Sequence, residues 1–369
     1  MIREPLHAEL TLSLLRAFPR SGIAPLPLAD VSWHRLVAFA SSHFVLQALA
    51  EPLSVSNAEG SAALEARQFI SAIHDANADR NAMLLRATHA ITVALGEIDV
   101  APCALKGAAF LLTSRKNAPP APWRFMSDID LLVPVDRLPD CVAALGRLGY
   151  LPSSEDYDPQ VEAHFPPLIS PCRTFSVELH TRLFGLEDFG LTPAAVLGDA
   201  TLVPVGKAGI FVPSLCHRIA HLLVHAQLHN RNHAIHRIVL KDVLDLIELN
   251  RECAGRIDWN AVFSGFGRRD QREAVAALVA AWQQVTGKDS GVDLPPSAQA
   301  WAARAIPRLH WPRWRARLNL PGDIFRMEAH RLQTERGHLR RRLKLLINPL
   351  HARDVYSNWS GKLRQRAWG

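Results

Sequence analysis

The spacing of apolar residues changes twice along this 369-residue chain. Residues 7–18, 31–50 and 62–95 place apolar side chains three and four positions apart, which is typical of amphipathic helices. Short apolar runs with β-type alternation follow between residues 98 and 212, and the helical spacing returns after Pro213. We therefore expect an α+β fold, in which a small mixed β-sheet is flanked by helical N-terminal and C-terminal regions.

The same changes divide the chain into four expected parts. These are a helical N-terminal region (1–95), a β-containing core (96–212), a helical domain that closes a cleft over it (213–300) and a basic helical tail (301–369). The tail holds 16 Lys and Arg against 4 Asp and Glu, a charge of +12, whereas residues 1–300 carry −5. Such a tail suits an anionic partner such as RNA, an acidic protein or a membrane surface, and a solvated basic face is the alternative.

Several classes of protein are excluded by what the sequence lacks. No apolar run reaches the roughly 18 residues of a membrane-spanning helix, and the N-terminus lacks the basic-then-apolar form of a signal peptide. We therefore expect a cytoplasmic protein without a transmembrane segment. The five cysteines are scattered and form no C-x-x-C pair, which argues against disulfides and a thiolate zinc site.

Two carboxylates, Asp128 and Asp130, lie two residues apart in a short β-type run. Alternate side chains of a strand share a face, so both acids point the same way, while the opposite face carries Ile129, Leu131 and Val133. Leu132 extends the carboxylate side into the core. Two acids held this close repel each other unless a cation lies between them, and Mg²⁺ is the usual cation for such a pair. The alternative is a pair of solvated acids at the end of a strand.

A third acid follows on a later strand. Residues 161–170 and 174–183 are expected to form a β-hairpin, and its second strand places Glu178 and His180 on one polar face. Three carboxylates on neighbouring strands could hold two Mg²⁺ ions that clamp the attacking and leaving oxygens of a phosphoryl transfer. Asp128 and Asp130 would bridge the metals, and Glu178 would complete the site of the metal that activates an acceptor hydroxyl.

A glycine turn precedes the acidic strand. Residues 100–105 read as a strand and 108–114 as a helix, with Lys106-Gly107 between them. This layout can present backbone N–H groups to a triphosphate, and Lys106 adds a compact positive charge. Arg124 is a second candidate phosphate contact. His180 could orient a substrate, and a hydrogen-bonded structural histidine is an equal alternative.

These three blocks together resemble a known family. Leu105 to Ala108, Arg124 with Ser127 to Val133, and Val177 to His180 are similar to the bacterial "uncharacterised nucleotidyltransferase" family of the DNA polymerase β superfamily. The resemblance covers roughly residues 95–250. It implies a nucleotidyltransferase core and transfer of a nucleoside monophosphate from an NTP, with Mg²⁺ (alternatively Mn²⁺) as cofactor. The acceptor would be a hydroxyl of an unidentified small molecule, peptide, protein or RNA. The turn lacks the Gly-Ser pair that is usual in the superfamily.

Three other hypotheses remain open from the sequence. Zinc binding is one hypothesis, because histidines four residues apart on a helix can share a metal ion. The series consists of His217, His221, His225, His229, His233 and His236. A contact of His225 with the nucleotide or the acceptor is the better functional hypothesis for this series. Arg231 and His236 match the spacing of a helical ribonuclease module, which defines a toxin–antitoxin alternative. A tail rich in tryptophan and arginine could instead belong to a non-catalytic scaffold of a biosynthetic cluster, with Trp301, Trp311, Trp314, Trp359 and Trp368 available for docking.

Overall fold

The computed structural model describes most of the chain between residues 6 and 326. The described ranges are 6–17, 32–54, 61–114, 119–154, 157–159, 162–185, 187–311, 318–323 and 325–326. Asn57, Glu59 and Gly60 predict a break between the helical runs 31–50 and 62–95, and this break lies outside these ranges. So do most of residues 324–346, whose apolar spacing predicts a further helix in the tail, and three of the tail tryptophans, Trp314, Trp359 and Trp368. No helix in the described part of the chain has the length and apolar character needed to cross a membrane.

The N-terminal region is helical, as predicted. Its helices are α1 (Leu6–Ala17), α2 (Trp33–Ser42), α3 (Ala50–Ser54) and α4 (Ser61–Gly96). The single helix expected for residues 31–50 was wrong, because the chain turns at Phe44, whose φ is +57°, and then forms a 3₁₀ turn over Leu46–Leu49. A left-handed residue cannot continue a right-handed helix, and apolar periodicity does not report such a residue.

Seven short strands form one mixed sheet. They are β1 (Cys103–Ala104), β2 (Asp128–Leu132), β3 (Leu151–Pro152), β4 (Leu168–Ile169), β5 (Ser176–His180), β6 (Thr201–Val205) and β7 (Ala208–Val212), in the order β3-β4-β5-β2-β1-β7-β6. The β2–β5 and β1–β7 pairs are parallel and the other pairs are antiparallel, which confirms the predicted mixed sheet. The predicted β4–β5 hairpin is present, although β4 is much shorter than the expected strand.

The remaining helices follow the expected order. They are α5 (Lys106–Thr113), α6 (Leu138–Arg147), α7 (Pro193–Gly198), α8 (Leu215–Val224), α9 (Leu240–Glu252), α10 (Trp259–Ser264), α11 (Arg269–Thr286) and α12 (Pro296–Ala305). A π-helical segment, His225–His229, extends α8. A serine directly before a run of helical spacing predicts an N-cap, and Ser214 does cap α8, because its hydroxyl accepts a hydrogen bond from the His217 N–H.

The sheet separates two hydrophobic cores. On one face, Ile129, Leu131 and Val133 pack with apolar side chains from the second half of α4 and from α6. On the other face, Leu132 joins the core formed by the N-terminal helices and by α8, α9 and α11. The alternation predicted for β2 is therefore confirmed. It directs Asp128 and Asp130 towards the face that the C-terminal helices cover, which is where a cleft between sheet and helices can form. The four-part division of the chain stays a prediction.

Candidate active site

Three carboxylates converge because two parallel strands pair in register. Asp130 of β2 pairs with Glu178 of β5, and Asp128 pairs with Ser176. Residues directly opposite each other on neighbouring strands point to the same face, so the β2 acids and Glu178 form one group. Asp130 is only 2% exposed, whereas Asp128 and Glu178 are half-buried at the cleft. The arrangement predicted from the sequence is therefore present as geometry.

Two basic side chains meet the buried carboxylate of Asp130. Lys106 Nζ donates to Asp130 Oδ1 at 2.6 Å, and His180 Nε2 lies 2.9 Å from the same oxygen. His180 Nε2 is also 3.4 Å from Glu178 Oε2, so the imidazole bridges β2 and β5. Burial alone would raise the pKa of Asp130, but Lys106 and His180 hold it well below its usual range. Asp130 is therefore ionised although it is almost fully buried.

Asp128 shows the opposite electrostatics. Burial, followed by repulsion from Asp130 and Glu178, raises the pKa of Asp128 above its usual value. A cation between these carboxylates would relieve their mutual repulsion. Within the described part of the chain, one group of possible metal ligands has its donor atoms all within 4.8 Å of one another, and it consists of Asp130, Glu178 and His180. The residues present therefore fit a divalent cation held mainly by carboxylate oxygens.

The predicted glycine turn is instead the start of a helix. Lys106 is the first residue of α5 and takes the left-handed conformation, with φ at +43°, whereas Gly107 lies inside the helix. Gly107 is needed for close approach, because a Cβ there would lie 2.7 Å from both Arg124 Nη1 and Met126 Sδ. No side chain caps α5. Its first N–H groups therefore lack intrahelical acceptors and point towards the Lys106 end of the helix, where an anion would be stabilised.

Arg124 has a protein partner that the sequence did not reveal. Its Nε and Nη2 donate to the two carboxylate oxygens of Asp245 in α9 at 2.9 and 3.1 Å, and both side chains are buried. Lys241 Nζ lies 3.4 Å from Asp245 as well. In the sequence, Asp242 with Lys241 and Arg237 predicts ion pairs that pack the helical domain against the core. The principal described pair instead uses Asp245, and the phosphate contact of Arg124 stays a prediction confined to Nη1.

His225 lies at the cleft, as expected. The cleft has a volume of about 730 Å³ and brings His225 together with Lys106, Asp128, Glu178 and His180. The sequence reasoning missed His164 at the same cleft and considered His229 only as a member of the histidine series. His164 Nε2 is 3.9 Å from Glu178 Oε2, and the His229 ring stacks on His225 at 5.3 Å between centroids. An isolated bridge between His164 and His180 positions the first of them, and no sequence pattern signals such a bridge.

The alternative readings of the histidine series and the tail gain little from the structure. Burial lowers the pKa of His221 to about 3 and keeps the pKa of His225 low, so both rings are neutral; neither belongs to the metal-ligand group found among the described residues. His233 and His236 both stack on Trp301, at 5.8 and 5.9 Å. Trp301 is 2% exposed, so this tryptophan is part of the core and not of a docking surface.

The mixed sheet, the uncapped helix after β1 and the carboxylates of β2 and β5 form the arrangement that the sequence leads us to expect of a nucleotidyltransferase core. A family model described as "Uncharacterised nucleotidyltransferase" matches residues 29–286, which is more than half of the chain. The protein belongs to this family and is a transferase of nucleotidyl groups. The match extends beyond the 95–250 span of the predicted resemblance at both ends.

Other comparisons add little to this assignment. No curated protein matches the chain. Among solved structures, the solution structure of the antibiotic-resistance factor ANT(2'')-Ia is similar, with 17% sequence identity and a TM-score of 0.36. That likeness covers 54% of this chain and 96% of the other. The assignment therefore rests on the family match.

Proposed function

We propose that the protein transfers a nucleoside monophosphate from an NTP to a hydroxyl group of an acceptor, with Asp128, Asp130 and Glu178 holding two Mg²⁺ ions, or Mn²⁺ in their place. The acceptor oxygen would form a bond to the α-phosphorus while the bond from that phosphorus to the bridging oxygen of the β-phosphate breaks. Pyrophosphate leaves, and the hydroxyl proton passes to solvent. The observation that carries the proposal is the register of β2 and β5, which places Asp130 directly opposite Glu178.

The divalent ions, when bound, would supply Lewis-acid stabilisation of the attacking and leaving oxygens. The chain supplies the rest of the site. Asp130 is kept ionised by Lys106 and His180, so that it is ready to bind a cation at neutral pH. His180 joins Asp130 and Glu178 through one ring nitrogen and so fixes the spacing between the two strands' carboxylates. Such fixed donors reduce the reorganisation that substrate binding requires.

Lys106 would change partner when the substrate binds. In the structure its ammonium group satisfies Asp130 at the mouth of the cleft. A cation bound to Asp130 would compete with this contact and release Lys106 towards the triphosphate, beside the uncapped N–H groups of α5. Arg124 Nη1, which lies against Gly107, is the second proposed phosphate contact. His225 would contact the nucleotide or the acceptor from the helical side of the cleft.

The test uses the purified full-length chain with Mg²⁺, each of the four labelled NTPs and a cell extract as the source of acceptor. We expect label to appear on an acceptor in a reaction that EDTA stops. Asp130→Asn should abolish transfer, and its far-UV circular dichroism at the assay temperature should show that the variant is folded, although the loss of the carboxylate partner of Lys106 and His180 lowers its midpoint of thermal unfolding. Asp140→Asn, a change in an exposed acid of α6 that pairs with Arg137 and does not line the cleft, serves as the matched control.

Transfer that survives in Asp130→Asn would refute the assigned carboxylates. Metal-independent RNA cleavage that persists in Asp130→Asn and disappears in His236→Ala would favour the ribonuclease alternative. Identification of the labelled acceptor by mass spectrometry would also decide whether the basic tail meets RNA or an acidic protein.

A further inference from the structure

Two aromatic side chains lie exposed against each other beside the catalytic core. Phe44 is 47% exposed and Phe125 is 39% exposed, and their rings are nearly parallel, with 16° between planes and 6.2 Å between centroids. Scattered exposed apolar residues are ordinary, but two exposed rings stacked on each other form a stack that a third planar group can extend. We call Phe44 and Phe125 the aromatic platform.

The aromatic platform is built on fixed supports. The Arg80 guanidinium lies over the Phe125 ring, with Cζ 5.5 Å from its centroid. Arg80 itself is fixed, because Nε donates to the Met126 carbonyl at 2.8 Å and Nη2 donates to the Thr174 carbonyl at 3.0 Å. The negative face of the ring attracts the guanidinium, which adds a positive charge near the platform.

Phe44 is held in an unfavourable backbone conformation. Its φ of +57° lies in the left-handed region, which a bulky residue rarely adopts. The neighbouring backbone is hydrogen-bonded on both sides: the Val45 N–H donates to the Ala40 carbonyl at 2.9 Å, and the Lys241 N–H of α9 donates to the His43 carbonyl at 3.2 Å. Strain of this kind persists only where the surroundings impose it, and it is common at binding sites.

The aromatic platform lies at the same end of strands β2 and β5 as the proposed catalytic carboxylates. Strands β2 and β5 are parallel, so both begin at this end, and Asp128 is the first residue of β2. Phe125 precedes Asp128 by three residues, so their Cα atoms are at most about 11 Å apart. Arg80 donates a hydrogen bond to the carbonyl of Thr174, just before β5, and therefore lies at the same end of the strands.

We propose that Phe44 and Phe125 stack the base of the substrate NTP, an inference that rests on the proposed nucleotidyl transfer. A nucleobase presents a flat π-face of the size that an aromatic side chain covers, and stacking does not require one particular base. The positive charge of Arg80 beside the platform matches an anionic nucleotide. The triphosphate would extend from the platform towards Asp128 and the start of α5.

The inference separates from the proposed function in a binding experiment. The probes are the four NTPs and inorganic tripolyphosphate, titrated calorimetrically into the full chain with Mg²⁺ and no acceptor. Phe44→Ala and Phe125→Ala should each weaken NTP binding at least about fivefold and leave tripolyphosphate binding unchanged, because only the base is lost from contact. Phe125→Trp should retain NTP binding. Phe69→Ala removes another half-exposed phenylalanine, from α4, and should change neither affinity.

A second variant tests the role of Phe44 without loss of stability. Phe44→Gly removes the ring but suits the left-handed backbone, so the midpoint of thermal unfolding should not fall while NTP affinity drops as it does in Phe44→Ala. A purely structural role of Phe44 would not separate these two quantities.

Three results would overturn the inference. Equal NTP affinity in the wild type and both alanine variants would show that the base lies elsewhere, even if transfer activity is present. An equal loss for tripolyphosphate would show a general change of the site. Weaker binding of a single-stranded oligoribonucleotide with unchanged NTP binding would assign the platform to an RNA acceptor. A wild-type chain that binds no NTP would refute the proposed function itself.

Discussion

The buried ion pair between Arg124 and Asp245 allows a quantitative prediction about how the sheet and the C-terminal helices are joined. Two hydrogen bonds of 2.9 and 3.1 Å connect the side chains, which are only 8% and 2% exposed. Asp245→Asn keeps the shape of the side chain but leaves the Arg124 charge buried without a carboxylate. Breaking a buried pair in this way costs about 3–5 kcal/mol of unfolding free energy.

The reverse variant should cost less. In Arg124→Met, Asp245 retains Lys241 Nζ at 3.4 Å, and this lysine is partly exposed, so the remaining charge is not isolated. The double variant Arg124→Met with Asp245→Leu removes both charges and fills the space with apolar atoms, which is often close to neutral. We therefore expect the double variant to be more stable than Asp245→Asn and to be destabilised by less than the sum of the single effects.

Urea unfolding followed by tryptophan fluorescence and by circular dichroism would measure these free energies, provided that the two transitions coincide. Arg269→Met is the matched control, because Arg269 pairs with Glu273 within α11 and is 90% exposed, so its loss should have no measurable effect. Additive single-variant effects, or an Asp245→Asn variant as stable as the wild type, would refute the reasoning that this pair joins the two layers.

Two further predictions concern pH and packing. Burial lowers the pKa of His221 to about 3 from its usual 6.5, so the unfolded state binds a proton more readily than the folded state does. The contribution of this group to the unfolding free energy should be fully present above pH 6.5 and should fall as the pH drops towards 3. About 2 kcal/mol of it should be lost at pH 5. His221→Gln should flatten the slope of unfolding free energy between pH 6.5 and 5, and an unchanged slope would assign the titration elsewhere. Gly107→Ala should destabilise the protein by about 1–3 kcal/mol, because the new Cβ would meet Arg124 and Met126 at 2.7 Å. Gly146→Ala, in an exposed turn of α6 with nothing within 4 Å, should instead be neutral or slightly stabilising in the same urea experiment.

The sequence predicts the elements of this fold well where local chemistry decides them. Long apolar periodicity identifies α4 and α11, and Ser214 marks the start of α8 because a serine hydroxyl satisfies a free N–H at a helix start. Strict alternation in β2 predicts correctly that Leu132 lies in a different core from Ile129. These features depend on neighbouring residues alone.

Elements that depend on distant partners were misjudged. The strand expected for residues 161–170 contracts to β4, Leu168–Ile169, because its pairing with β3 and β5 spans only two residues on each side. Gly107 was expected to form a turn between a strand and a helix. It instead lies inside α5 and lets Arg124 and Met126 approach that helix. Both of these residues lie well beyond the reach of a local pattern. His164 and Asp245 carried no signal, since their partners are brought to them by strand and helix packing.

The three carboxylates of the site illustrate what the sequence determines and what the tertiary structure decides. The sequence by itself determined that Asp128 and Asp130 share a face, because the two-residue period of a strand requires it. Only the tertiary structure decided that Glu178 lies opposite Asp130 and that Lys106 and His180 neutralise that buried acid. It also decided that Phe44 stacks on Phe125, just before β2. Those contacts join residues far apart in the chain, and their formation depends on strand register and helix packing, which no local sequence pattern encodes.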